Sequence, residues 1–313
     1  MASSGKLGRR LMLGSAVGAA GLGLAAYKAV PSMMWQRISE DLSRDVEKTP
    51  NIPDPSLWPD TGLHAAWLGH STVLLKMDGH TLITDPVLNT WIGIDLRIAT
   101  VGMKRLVEPA LKADQLPKLD LILSSHAHMD HLDLATMRDL ENPETKVVMA
   151  KSTSDLIRSS RYQSVEEIGW GEAKQVGPFK IRGLEVRHWG ARMRTDTYRG
   201  YNGYMIESGK WRVLFGGDTA NTHTFKDQRQ GDVHLAVFPI GAYNPWVHAH
   251  CNPEEAWRMS NEFGSEYVLG VHHQTFKLSQ EVATEPIERL IGIAGNSGSR
   301  VVAREIGNEF HLA

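Results

Sequence analysis

Three imidazoles and one carboxylate fall within six consecutive positions: His126, His128, Asp130 and His131. Imidazole nitrogen and carboxylate oxygen are the donors that zinc and other borderline metals take, so this density predicts a metal site. His126 and His128, at i and i+2, point to the same side of an extended segment. Asp130 and His131 follow as the chain turns and face a different point. The spacing therefore suits two metals, one held by each pair. Two adjacent metals clamp a substrate and generate hydroxide near neutral pH.

The elements that position such donors are legible as apolar runs. Leu119, Leu121, Ile122 and Leu123 read as a buried strand that delivers the cluster at its end. Trp211 to Phe215 is a second such run, followed by Gly216, Gly217 and Asp218. The glycines permit tight backbone geometry, and a carboxylate at that strand tip has two oxygens to bridge two cations. A third run from Ile181 ends in His188, and a fourth from Tyr267 ends in His272 and His273. Further strands are predicted at 61–75, 81–84, 147–150, 175–187, 201–207, 301–306 and Glu309–Leu312, with a loop from 85 to 109. Helices are predicted at 134–140, at 151–160 behind a Ser or Thr cap, and at Pro253–Phe263. In the last, proline sits in the first turn and Glu254 and Glu255 lie near the positive end, as helix-start residues rather than catalysts.

The pattern His126-x-His128-x-Asp130-His131 with His188, Asp218 and His272 resembles the metallo-β-lactamase superfamily. Trp67-Leu68-Gly69-His70-Ser71-Thr72, Thr84-Asp85-Pro86-Val87, Gly216-Gly217-Asp218-Thr219 and Pro239-Ile240-Gly241-Ala242-Tyr243 narrow the likeness. So do His250-Cys251-Asn252-Pro253-Glu254-Glu255-Ala256 and His272-His273-Gln274-Thr275-Phe276. Together they are similar to the group containing N-acyl-phosphatidylethanolamine-hydrolysing phospholipase D and its bacterial relatives. The resemblance covers roughly residues 60–310 in order. It implies an α/β (α+β) fold, the αββα sandwich, with a dinuclear zinc site at one edge.

What the resemblance implies can be set out residue by residue. His126, His128 and His188 hold one zinc, Asp130, His131 and His272 hold the other, and Asp218 bridges. His272 is preferred to His273 because of its position before Thr275 and Phe276, which leaves His273 to line the pocket. Asp218, Asp130 and His250 are the side chains expected to act in catalysis, with a structural role the alternative for His250. His70 is expected to brace the loop around the site, and Asp85 to hydrogen-bond a ligand histidine. Manganese or iron also suits a His/Asp site.

The expected chemistry is hydrolysis by a metal-bridging hydroxide, with Asp218 orienting it. No serine or cysteine nucleophile is required, and the one cysteine, Cys251, reads as a small buried side chain. The phospholipase likeness favours a phosphodiester on a small-molecule or lipid substrate. Alternatives are a lactonase or carboxylic-ester hydrolase of the same superfamily, and a non-catalytic metal-binding domain. Residues 88–96, which carry Trp91 and Ile92, are a candidate pocket wall or membrane-facing loop, and Trp189 and Trp246 lie beside proposed site residues.

At the N-terminus, Lys6, Arg9 and Arg10 precede Leu11 to Tyr27, a stretch without a charge. Residues 1–30 thus read as a signal peptide or membrane anchor, with a twin-arginine-like pair. The expected location is the bacterial periplasm, free or anchored in the inner membrane; a cytoplasmic protein is the weaker alternative. Residues 31–60, with Pro50, Pro53, Pro55 and Pro59, read as a linker or arm, and 61–313 as the hydrolase domain. A formal charge of −2 provides no basic footprint for nucleic acid, which weakens a nuclease reading. Apolar residues make up 42% of the chain, ample for a core.

Overall fold

The computed structural model describes residues 39–313. The chain divides into two compact units, Met1–Asp45 and Val46–Ala313. The described part of the first is a helical stretch at 39–43. The predicted leader at 1–30 lies outside the described residues. The arm predicted at 31–60 differs in its second half, because residues 46–60 belong to the second unit. Glu47 bridges to Val107, and the Trp58 indole is buried with Nε1 donating to Glu309 at 2.7 Å. The prolines therefore shape an ordered strap.

Two seven-stranded sheets make up the second unit. In chain order the strands of the first half are β1 (Leu63–Gly69), β2 (Thr72–Met77), β3 (His80–Thr84), β4 (Trp91–Asp95), β5 (Thr100–Lys104), β6 (Leu121–Ser124), β7 (Lys146–Ala150) and β8 (Ser164–Ile168). Those of the second half are β9 (Ala173–Val176), β10 (Phe179–Leu184), β11 (Gly203–Ser208), β12 (Trp211–Phe215), β13 (Val233–Pro239), β14 (Ser265–Val271), β15 (Val301–Val302) and β16 (Glu309–Leu312). The first sheet runs β16-β1-β2-β3-β6-β7-β8 and the second β15-β14-β13-β12-β11-β10-β9, while β4 and β5 form a separate hairpin. Helices α1 (Leu134–Asp139), α2 (Thr224–Asp227), α3 (Pro253–Phe263) and α4 (Glu285–Ala294) complete the unit.

Strand alternation explains the layers. Val213 and Phe215 of β12, with Leu235 and Val237 of β13, join the core between the sheets. Their neighbours Leu214, Ala236 and Phe238 face the other way and meet Met259 and Phe263 of α3 and Leu290 of α4. The result is the expected αββα sandwich. Helix α3 begins where the sequence indicates: Asn252 accepts from the Glu255 amide at 2.9 Å, Glu255 accepts from the Asn252 amide at 3.0 Å, and Gly264 closes the helix at φ 87°.

Three local expectations change. The 61–75 run breaks into β1 and β2 at a turn where His70 takes φ 51°. The 175–187 run is the hairpin β9–β10, turning at Gly177, so His188 lies in the loop four residues beyond the end of β10. The helix predicted at 151–160 does not form. The Glu167 carboxylate takes the amides of Ser152, Thr153 and Ser154 at 2.9, 2.9 and 2.8 Å, which curls the segment into short 3₁₀ turns.

Candidate metal centre

The parallel strands β3, β6, β12, β13 and β14 all end at the same edge of the sandwich, and the loops that follow carry the donors. Asp85 follows β3, His126 to His131 follow β6, Asp218 follows β12, and His272 follows β14. Close backbone approach is built in at Gly217, which sits at φ 55° and where a Cβ would lie 2.5 Å from the Asn202 carbonyl oxygen.

All seven predicted donors converge. The His126 Nε2 atom lies 2.8 Å from His128 Nδ1, which lies 3.2 Å from His188 Nε2. Asp218 Oδ2 is central: it lies 3.1 Å from His131 Nε2, 3.2 Å from His272 Nε2 and 3.7 Å from His188 Nε2. Asp130 Oδ2 lies 3.5 Å from His272 Nε2 and 3.7 Å from His131 Nε2. Among the described residues four overlapping groups result, each with donor atoms within 4.8 Å of one another; the two with four members are His126, His128, His188 and Asp218, and His70, Asp130, His131 and His272, while Asp85 joins His126 and His131, and His250 joins Asp218 and His272.

Supporting hydrogen bonds orient these rings. Asp85 Oδ2 holds His131 Nδ1 at 2.7 Å, as expected, which aims Nε2 into the cluster. The Ser125 hydroxyl donates to the same carboxylate at 2.6 Å and lies 2.8 Å from His126 Nδ1. The Ala249 carbonyl accepts from His188 Nδ1 at 3.0 Å. His70 does brace the turn, through its carbonyl to the Trp67 indole and the His272 amide, but its ring also reaches Asp130 at 3.1 Å. His250 Nδ1 is 3.7 Å from Asp218 Oδ2 at the rim of the site. His273 stands apart from the cluster, its ring tilted against that of Trp67 with Nε2 donating to the Gly270 carbonyl at 3.2 Å, and it lines the cavity beside His272 as expected. No sequence pattern points to Arg192, whose Nη1 donates to the carbonyls of Ala127 and Leu132 at 3.0 and 2.7 Å and so ties both ends of the His126–His131 loop.

Burial holds His126, His128 and His188 below the usual imidazole range, as neutral rings with a free lone pair. Burial likewise brings His70 to about 3 and His250 to about 4. At Asp130 and Asp218 burial opposes the charge, but His131 and its neighbours outweigh it and hold both carboxylates well below their ordinary range. His131 and His272 are the counterpart: burial lowers them, yet the two aspartates raise His131 well above its ordinary value and His272 to about 9.

The chemistry of the donor set fits a metal centre. His131 Nε2, His272 Nε2 and Asp218 Oδ1 are buried, and although the two nitrogens lie 3.1 and 3.2 Å from Asp218 Oδ2, none of the three makes a well-aligned hydrogen bond within the protein, a costly state for polar atoms that a cation would relieve. Cys251 is buried, donates to the Pro239 carbonyl at 3.3 Å, and has its thiol pushed up by burial. The half-exposed Trp189 ring lies 4.7 Å from the His128 ring and walls one side. On the other side, a cavity of about 310 Å³ adjoins His272 and is lined by Leu106, Ala242, Phe276, Leu278, Val282 and Pro286, among others.

A family profile described as "Beta-lactamase superfamily domain" matches residues 80–273. N-acyl-phosphatidylethanolamine-hydrolyzing phospholipase D 1 of Caenorhabditis elegans is 31% identical over 77% of this chain and 72% of its own. The uncharacterized protein Rv0906 of Mycobacterium tuberculosis is 31% identical over 84% of this chain and 73% of its own. Among solved structures, the metallo hydrolase Igni18 of Ignicoccus hospitalis superposes with a TM-score of 0.57 at 20% identity, covering 81% of this chain and 99% of that one. The chain therefore belongs to the metallo-β-lactamase superfamily, with phospholipase D-like relatives, and is a hydrolase on that fold.

Proposed function

We propose that this hydrolase is a dinuclear metal-dependent phosphodiesterase of the N-acyl-phosphatidylethanolamine phospholipase D type. The observation that carries the reading is the pair of donor groups meeting at Asp218 Oδ2. His126, His128 and His188 would hold one ion, Asp130, His131 and His272 the other, with Asp218 shared; zinc is the first choice for these donors. Such a pair supplies Lewis acidity and lowers the pKa of water. The protein's own groups do the positioning. Asp218, held ionised, is placed to orient the attacking oxygen and to take its proton. His250, held neutral at the rim, is placed to hydrogen-bond a substrate oxygen. Trp189 and the cavity beside His272 offer apolar walls to a lipid arm.

Metal analysis of the purified protein should find about two ions per chain, with activity lost on chelation and restored by zinc, manganese or iron salts. A panel of an N-acyl-phosphatidylethanolamine, a soluble bis-aryl phosphodiester and a lactone then tests the substrate. Cleavage of the two phosphodiesters is the expected outcome. Turnover of lactones alone would overturn the phosphodiesterase reading, and a protein that binds metal yet turns over nothing would leave a binding domain.

A further inference from the structure

The β4–β5 hairpin is bonded to neither sheet and presents two unlike faces. Ile92 pairs with Met103 and Ile94 with Val101, so these four side chains share one face. Its root is anchored: Ile92 packs with Val87 and Phe276, and Met103 and Leu278 border the same cluster. Beyond the root the aliphatic face continues, and among the described residues its side chains stay exposed. Ile94 is 50% exposed, Val101 59%, Leu96 55% and Ile98 94%. The strands can approach closely at Gly93 and Gly102, where a Cβ on either would fall 2.2 or 2.0 Å from the opposing carbonyl oxygen. At the tip, the Leu96 amide donates to the Ala99 carbonyl at 2.9 Å with Arg97 at φ 67°.

Charge distinguishes what this tip suits. Asp95, the sole acid between 88 and 106, is paired with Arg138. Arg97 is exposed at the turn, and Lys104 lies over the Trp91 ring at 5.8 Å. A projecting turn with Leu96 and Ile98 exposed on either side of the exposed cation Arg97, continuing the aliphatic face of Ile94 and Val101, matches the boundary between acyl chains and anionic headgroups. A protein partner would be expected to meet aromatic anchors and paired hydrogen-bonding groups instead. The face is also continuous with the site: Phe276 and Leu278 touch the hairpin root and line the cavity beside His272, as does Leu106 just past β5.

We propose that the β4–β5 hairpin docks this protein on a lipid surface bearing anionic headgroups, with Leu96 and Ile98 inserted and Arg97 against the headgroups. The docking stands on the hairpin itself; its purpose, bringing a lipid to the cavity beside His272, rests on the phosphodiesterase reading.

The full chain carrying Ile98→Cys, labelled with an environment-sensitive fluorophore, reports on the tip whatever the N-terminal segment does, because the native Cys251 is buried. Vesicles of phosphatidylcholine with phosphatidylglycerol should shift the emission to the blue, and pure phosphatidylcholine or high salt should weaken the shift. The double variant Leu96→Asp/Ile98→Asp should lose at least about tenfold of vesicle-presented lipid turnover while keeping its rate on the soluble bis-aryl diester. An unshifted probe on protein that pellets with vesicles overturns the proposal. So does a shift that follows protein concentration without vesicles, which would assign the tip to a second copy. Lipid turnover without tip insertion removes the docking alone, whereas insertion without phosphodiester cleavage removes only the catalytic reading.

Discussion

Arg192 shows how the metal loop is held from outside its own sequence. One guanidinium nitrogen spans the carbonyls of Ala127 and Leu132, so the turn that presents His128, Asp130 and His131 is clamped at both ends. Loss of a group that orients metal ligands typically costs 10–100-fold in affinity, so Arg192→Ala should weaken metal binding by about that factor. Arg192→Lys, with one donor nitrogen still within reach, should recover part of it. Metal titration followed by competition with a chromogenic chelator measures both, and unchanged affinity in the alanine variant would remove Arg192 from this role. Asp85 was expected from sequence because a carboxylate before proline at a strand end suits a ligand ring. Arg192 was not, since no spacing relates it to Ala127.

At the scale of elements, Glu167 shows a single carboxylate overriding local propensity. It gathers the amides of Ser152, Thr153 and Ser154, and short 3₁₀ turns leading into β8 stand where a helix was expected. Burial opposes the Glu167 charge, but these amides outweigh it and lower its pKa from the ordinary value of 4.5. A lowered folded value means that the stabilisation is present above about pH 4.5, the ordinary value, and is lost as pH falls through the folded one. Glu167→Gln should therefore lower the unfolding temperature at neutral pH, with the gap to the wild type closing in acid. Thermal melts across pH check this, and a gap constant with pH would contradict it. Helix α3 was read correctly because its start is written locally, in Asn252, Pro253 and Glu255. The β4–β5 hairpin was read as loop because glycines interrupt both strands and the alternating aliphatic residues are few and largely exposed.

For the whole molecule, the leader and the catalytic unit raise the question of location. We propose that residues 1–30 direct the protein to the periplasm through the twin-arginine pair Arg9 and Arg10, a route suited to a protein that folds around metal first. Substitution of both by lysine should keep the protein in the cytoplasm, as cell fractionation would show; unchanged export would exclude that route. Among the described residues, no helix is long and apolar enough to cross a membrane. The sequence by itself pointed to metal chemistry through the dense His126–His131 motif, and its resemblance to the metallo-β-lactamase superfamily implied the sandwich and the seven expected ligands. Only the tertiary structure decided that His70 reaches Asp130, that Arg192 clamps the loop carrying the donors, and that β4 and β5 pair as a hairpin apart from both sheets. The first two depend on which strand ends share an edge. That is settled by sheet order and by packing between layers, through contacts far apart in the chain that no local pattern records.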